Sequence, residues 1–194
     1  MSIWTSKARR LVGLAVLATL AACDTLTLPG LGAGGGSAPV TRAAMSDGAL
    51  QLATPQGYCI DQRSLRDRFA LLGRCDTLGV QGTFGAWELA IVTVSLAPVE
   101  PGTVPADVGA FPAAPGSDEV LRTLERGDLT LTQLRTQETP VDGTSGQYWR
   151  TAFVLNGQLV SLALYAPDTS QATGDEGARI LQDIARATRT ATAV

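Results

Sequence analysis

The chain has 194 residues, with fifteen basic against eighteen acidic side chains, a net charge of −3 and no histidine. That balance excludes the basic face that nucleic acid demands. Without histidine there is no Ser-His-Asp or Cys-His machinery, no imidazole metal ligand and no histidine pH switch.

Residues 1–23 follow the order of an export signal. Lys7, Arg9 and Arg10 make a positive region, and residues 11–22 are apolar or small apart from Thr19. A helix needs about 20 apolar residues to cross a hydrocarbon core; this shorter run suits the core of a signal peptide. It closes on Leu20-Ala21-Ala22-Cys23, which resembles the lipobox of bacterial lipoproteins. The resemblance implies a diacylglycerol on the Cys23 thiol, cleavage before that cysteine, and palmitate-type acylation of the new amino group. Two or more acyl chains give stable attachment where one holds only marginally.

The expected product is a membrane-anchored protein of the bacterial cell envelope with its domain on the periplasmic side. Asp24 resembles the inner-membrane retention signal of enteric bacteria, a rule that is not general, so the choice of inner or outer membrane stays open. Cleavage takes away the only lysine, Lys7, and leaves twelve basic against eighteen acidic residues, a net charge of −6. No Schiff-base or P-loop lysine then remains, and charge-driven docking on anionic lipid is disfavoured.

Residues 23–48 read as the lipidated cysteine and a tether, typified by Gly34-Gly35-Gly36-Ser37-Ala38-Pro39. Such composition buries too little apolar surface to offset its ordering entropy, and about 20 flexible residues reach roughly 25 Å. Residues 49–194 are long enough for one domain. Within it, residues 50–53, 58–60 and 69–72 alternate or cluster as strands. The polar stretch 61–68 carries Arg63, Arg66 and Arg68, which could grip an anion; Asp61 and Asp67 make a solvated, self-neutralised loop the simpler reading. Cys59 and Cys75 are the cysteines left once Cys23 is lipidated, and two such thiols in an oxidising compartment pair. Their spacing is not that of a redox CxxC motif, and two thiols without histidine make a poor zinc site. No metal and no cofactor is expected.

Residues 87–96 are apolar on both faces, which predicts a central strand. Residues 98–116 hold five prolines and read as a long surface loop. Ser117 as cap, Asp118 and Glu119 in the first turn and Gly127 as stop predict a short helix, with Val120, Leu121 and Leu124 as its buried stripe. Residues 129–138 alternate as a strand. Asn156-Gly157 between two strand-like runs specifies a tight hairpin, pairing Trp149 with Leu164 and Phe153 with Val160 on the core side. The same register places Tyr148, Arg150 and Tyr165 together on the opposite side. Tyrosine and arginine are types enriched at binding hot spots, so this trio is the candidate partner surface; the plainer alternatives are a stabilising cross-strand tyrosine pair or cover by the proline-rich loop 98–116. Thr173-Gly174-Asp175-Glu176 fits a capping box and opens a helix striped by Ala178, Ile180, Leu181, Ile184 and Ala185.

The class is α+β: an antiparallel sheet covered by helices on one face, in the order β-β-β-α-β-β-β-α. That order resembles the PsbP-like fold. The lipobox, with Gly57-Tyr58-Cys59-Ile60-Asp61 and Leu71-Leu72-Gly73-Arg74-Cys75, resembles alphaproteobacterial envelope lipoproteins. The missing catalytic residue types favour a tethered, non-catalytic binding or accessory module for another envelope protein or a small ligand. A carboxylate-dependent hydrolase of envelope polymers or a purely structural envelope protein is the alternative. Replacing the lipidated thiol, Cys23→Ala, should leave the precursor uncleaved and abolish incorporation of labelled fatty acid; a mutant that still carries lipid would overturn the lipobox reading.

Overall fold

The computed structural model describes residues 38–80, 88–99, 118–137, 139 and 141–193. The chain separates into units 1–35 and 36–194, and every described residue belongs to the second. Cys23, the signal region, the proline-rich stretch 100–116, Ser117 and Trp87 lie outside the described residues.

The described strands are β1 (Arg42–Met45), β2 (Leu50–Ala53), β3 (Tyr58–Ile60), β4 (Phe69–Arg74), β5 (Ile91–Pro98), β6 (Asp118–Arg126), β7 (Leu129–Thr136), β8 (Gln147–Leu155) and β9 (Gln158–Tyr165). A 3-10 turn (Gln171–Thr173) then leads into one helix, α1 (Asp175–Thr192). Strands β1 and β2 form a hairpin of their own, and the other seven make one sheet in the order β3-β4-β5-β9-β8-β7-β6, antiparallel throughout. The antiparallel α+β expectation therefore holds, with a single α-helix among the described residues where two were expected.

The β8–β9 hairpin has the register that Asn156-Gly157 dictates. Both turn residues take positive φ, 47° and 71°, as the twist-matched two-residue turn requires. Leu155 faces Gln158, Phe153 faces Val160 and Trp149 faces Leu164. Continued across the sheet, this pairing aligns Leu72, Val92, Leu164, Trp149 and Gln133 in one row, and Ala70, Val94, Leu162, Thr151 and Leu131 in the next. These inner-face residues are buried, together with Ile180, Leu181 and Ile184 of α1 and Met45, Leu50 and Leu52 of the first hairpin.

Four expectations change. Residues 118–126 form edge strand β6, not a helix: they pair along β7, and the two-residue turn Gly127-Asp128 (Gly127 φ 66°) joins the strands. Leu124 alone of the expected stripe packs against the core, while Val120 is exposed. Residues 42–45, expected to be part of a tether, are a strand instead: Arg42–Met45 pair with β2 and Met45 is buried. Strand β5 is central but buried on one side only, with Val92, Val94 and Leu96 inward and Ser95 exposed. The capping box does not form: Gly174 caps α1 without a side-chain bond, and Thr173 Oγ1 instead donates to the Ser170 carbonyl.

The disulfide Cys59–Cys75 joins strand β3 to the residue after β4, with Val80 and Leu78 packed around it. In the chain-entropy model, closing a loop of this length stabilises by about 3 kcal/mol. The arginines of 61–68 are engaged locally: Arg63 pairs with Asp61, Arg68 with Asp67, and Arg66 donates to the carbonyls of Arg63 and Leu65. That is the self-neutralised loop, since exposed pairs of this kind are worth little.

Two contacts hold α1 in place. At its start Gly177 lies against Trp149, and a Cβ there would fall 2.0 Å from the Ala172 carbonyl oxygen and 2.8 Å from Trp149 Cδ1. Towards its end, Thr188 Oγ1 accepts from Ala53 N–H and donates to Ala53 C=O, both at 3.3 Å, and Thr192 Oγ1 does the same for Gln51 at 3.0 and 3.4 Å. Four helical residues rise about 6 Å and two strand residues about 6.6 Å. Threonines four apart on a helix can therefore serve alternate residues of a strand edge, here the edge of β2 that β1 leaves open.

These contacts set the stability cost of two substitutions, read by urea unfolding. Gly177→Ala should destabilise by about 2–4 kcal/mol through overpacking. Thr188→Val, similar in shape but unable to bond Ala53, should cost about 1–3 kcal/mol, and Thr188→Ser should recover part of it.

Candidate functional site

The sheet has an inner face under α1 and an opposite face that is helix-free among the described residues. On the latter, alternation along β5, β9 and β8 brings three rows into register: Ile91, Tyr165 and Tyr148; Thr93, Ala163 and Arg150; Ser95, Ser161 and Ala152. Small residues in the middle of the grid, bordered by Tyr165 and Arg150, leave a dent of about 270 Å³ lined by Thr93, Ser95, Arg150, Ser161 and Tyr165. Cross-strand neighbours lie about 5 Å apart, so Ser95 stands beside Ser161, while Tyr165 stands at the other end of the dent.

The predicted trio shares this face, but its members differ in access. Tyr148 is 5% exposed, stacks on Tyr165 with ring centroids 5.3 Å apart, and donates its hydroxyl to Asp118 Oδ2 at 2.7 Å. Edge strand β6 supplies that carboxylate, and Leu134 of β7 fills the next position in the row. Tyr148 is thus structural support, whereas Arg150 and Tyr165 border the dent. Thr93, Ser95 and Ser161 did not stand out in the sequence. Their signal is polar residues at alternate positions of β5 and β9, but β5 meets β9 only through a long-range pairing that no local pattern specifies.

The hydroxyls of Thr93, Ser95, Ser161 and Tyr165 make no hydrogen bond in the described structure. Arg150 has interactions of its own, and a guanidinium carries five donors in a planar fork. Burial pushes the Tyr165 hydroxyl up from the usual tyrosine value, with Arg150 opposing and Asp118 assisting. Burial also raises Tyr148, reinforced by its bond to Asp118. Both remain protonated donors at neutral pH.

No protein-family model matches the chain, and a search of curated proteins finds no match. Among solved structures it is similar to the Ran-binding protein Mog1p of Saccharomyces cerevisiae, at 13% identity and a TM-score of 0.46 over 80% of this chain and 99% of that one. A mutant of protein Mog1 gives 13% and 0.47 over 75% and 93%. Cyanobacterial PsbP from Synechocystis gives 12% and 0.44 over 81% and 96%. The likeness is weak and one of fold alone.

Among the described residues, other cavities lie elsewhere. An open cleft of about 860 Å³ runs between the β1–β2 hairpin and the end of α1, past Arg42, Asp183 and Arg186. A smaller one beside the Gly127-Asp128 turn holds Arg126, Asp128 and Arg189, and a third next to Val80 holds Asp61 and Arg63. Among the described residues no group of three acidic or cysteine side chains is placed to hold a metal ion, and no helix is long and apolar enough to cross a membrane.

The raised tyrosines fix the sign of an alkaline effect. Above pH 10, the ordinary tyrosine value, the unfolded chain releases phenolic protons that the folded chain keeps, so stability should fall as pH rises through that range. Denaturant unfolding followed from pH 9 upward should show this decline, and Tyr148→Phe should make it shallower.

Proposed function

We propose that this protein is a lipid-tethered component of the bacterial envelope whose domain is a non-catalytic binding or accessory module. Its helix-free sheet face is the docking surface for another envelope component. The observation that carries the reading is the dent on that face, lined by Arg150, Tyr165, Thr93, Ser95 and Ser161. Binding surfaces use arginine and tyrosine because each joins contact area to a polar tip. Tyr165 is held by its stack on Tyr148, so less side-chain freedom is lost on binding.

The lipobox supports the tethered address, and the disulfide suits an oxidising compartment. Among the described residues, each of the cavities above is lined by at most one acidic side chain. That arrangement favours a binding module over a hydrolase that needs two carboxyl groups about 5–10 Å apart.

The test is crosslinking capture from the protein's own cell envelope, with melting temperature measured on the same variants. Arg150→Gln and Tyr165→Phe should each lose the captured species while melting as the parent does. Capture that survives with a lowered melting temperature would leave these residues as structure alone.

A further inference from the structure

We propose that Asn156 is a site of spontaneous covalent modification in the folded domain. Its side-chain amide cyclises with the backbone nitrogen of Gly157 when the turn opens, and hydrolysis leaves aspartate or isoaspartate in its place. The change releases the β1–β2 turn from the β8–β9 turn.

Asn156 is the only asparagine among the 194 residues, and a glycine follows it. The chemistry is intramolecular. The Gly157 nitrogen attacks Asn156 Cγ and closes a five-membered succinimide; that nitrogen gives up its proton, and Nδ2 departs as ammonia. Water then opens the ring at one of two bonds. Breaking the new N–Cγ bond gives aspartate. Breaking the original peptide bond gives isoaspartate, in which the main chain runs through Cβ and Cγ. Water is the sole co-reactant.

The structure leaves the reacting groups accessible. Asn156 and Gly157 are both exposed, so solvent reaches the amide and the ring that follows it. Glycine puts no side chain beside the attacking nitrogen, and a Cβ built at Gly157 would meet nothing within 4 Å. The surroundings therefore do not crowd the ring.

The turn itself is the brake. Asn156 and Gly157 hold φ of 47° and 71°, as a two-residue hairpin turn requires. Asn156 Nδ2 donates to the Ala49 carbonyl at 3.1 Å, and the Gly157 carbonyl accepts from Val99 N–H at 3.0 Å. Closure requires Nδ2 to leave Ala49 and the 156–157 peptide to rotate out of the turn. The flanking residues Val154, Leu155, Gln158 and Leu159 are only half-buried, so the hairpin end opens locally while the core stays folded.

Modification changes a contact between distant parts of the chain. Ala49 closes the turn of the first hairpin, where its N–H donates to the Ser46 carbonyl at 3.0 Å. Aspartate replaces the Nδ2 donor with an ionised, acceptor-only group, set against the Ala49 carbonyl, which is also an acceptor. The contact turns from attractive to repulsive. Isoaspartate further adds one backbone atom to the turn that fixes the β8–β9 register.

The test follows the purified protein in warm, mildly alkaline buffer by mass spectrometry, folded and in urea. Amide-to-acid conversion should appear in tryptic fragment 151–179, several-fold more slowly in the folded protein than in the unfolded chain. Asn156→Gly, a change the turn accepts, should abolish it. Asn156→Asp should unfold at a lower urea concentration than the parent, and the isoaspartate fraction should do the same. A folded protein still unconverted once the unfolded chain has reacted to completion would overturn the proposal. Conversion that persists in Asn156→Gly, or equal rates folded and unfolded, would overturn it too. An Asn156→Asp protein as stable as the parent would overturn the release of the two turns.

Discussion

Trp149 is the residue on which the arrangement of helix over sheet depends. It lies fully buried at the centre of the inner face, and its indole N–H donates to the Thr173 carbonyl at 3.2 Å. The Gln133 side-chain amide reaches the same carbonyl at 2.7 Å, and the Arg122 guanidinium lies 4.9 Å from the indole centroid. Two strands thus fix one peptide just before α1 begins, and Gly177 lets the first helical turn settle on the ring without a side chain between them. A buried tryptophan of this kind is worth about 3–5 kcal/mol against alanine. Here it also sets direction, since a helix started at this point must run over Leu162 and Leu164 towards the first hairpin.

Because α1 and the first hairpin pack on one face, the described residues of the other meet through cross-strand contacts. The bulky pair Tyr148 and Tyr165 sits at one end of the grid and the small pair Ala152 and Ser161 at the other. The dent is therefore a consequence of side-chain size on a regular sheet. No unusual loop is needed to make it. Its groups are placed by strands pinned on both sides in the interior of the sheet, which is a more rigid support than a loop provides.

What could be read in advance followed from short-range physics. Asn156-Gly157 fixes a turn, the turn fixes a register, and the register places every residue from 148 to 165 on a side, including Arg150 and Tyr165. The stripe of α1 was legible for the same reason, as Ala178, Ile180, Leu181, Ile184 and Ala185 are all buried. Residues 118–126 were misread because their local signals are ambiguous. Gly127 ends a helix as readily as it turns a hairpin, and Glu119 near the amino end suits a helix as well as it suits the cross-strand pair with Arg135. Pairing along β7, invisible in the local pattern, decided the matter. The same limit concealed Thr93 and Ser95 as neighbours of Arg150.

The threonine bonds between α1 and β2 carry a mechanical consequence. The chain enters the domain at Val40, whose carbonyl accepts from Ile60 N–H at 2.7 Å, so a pull on the preceding residues loads that bond and then the β1–β2 hairpin. That hairpin is linked to the last turns of α1 by bonds strung along the strand at Gln51 and Ala53. Tension along β2 would strain both together, in shear, instead of opening them one after another. The far end of the helix is anchored independently at Trp149. A load arriving at the amino end is thereby shared across two separate attachments before it reaches the central strands that form the dent.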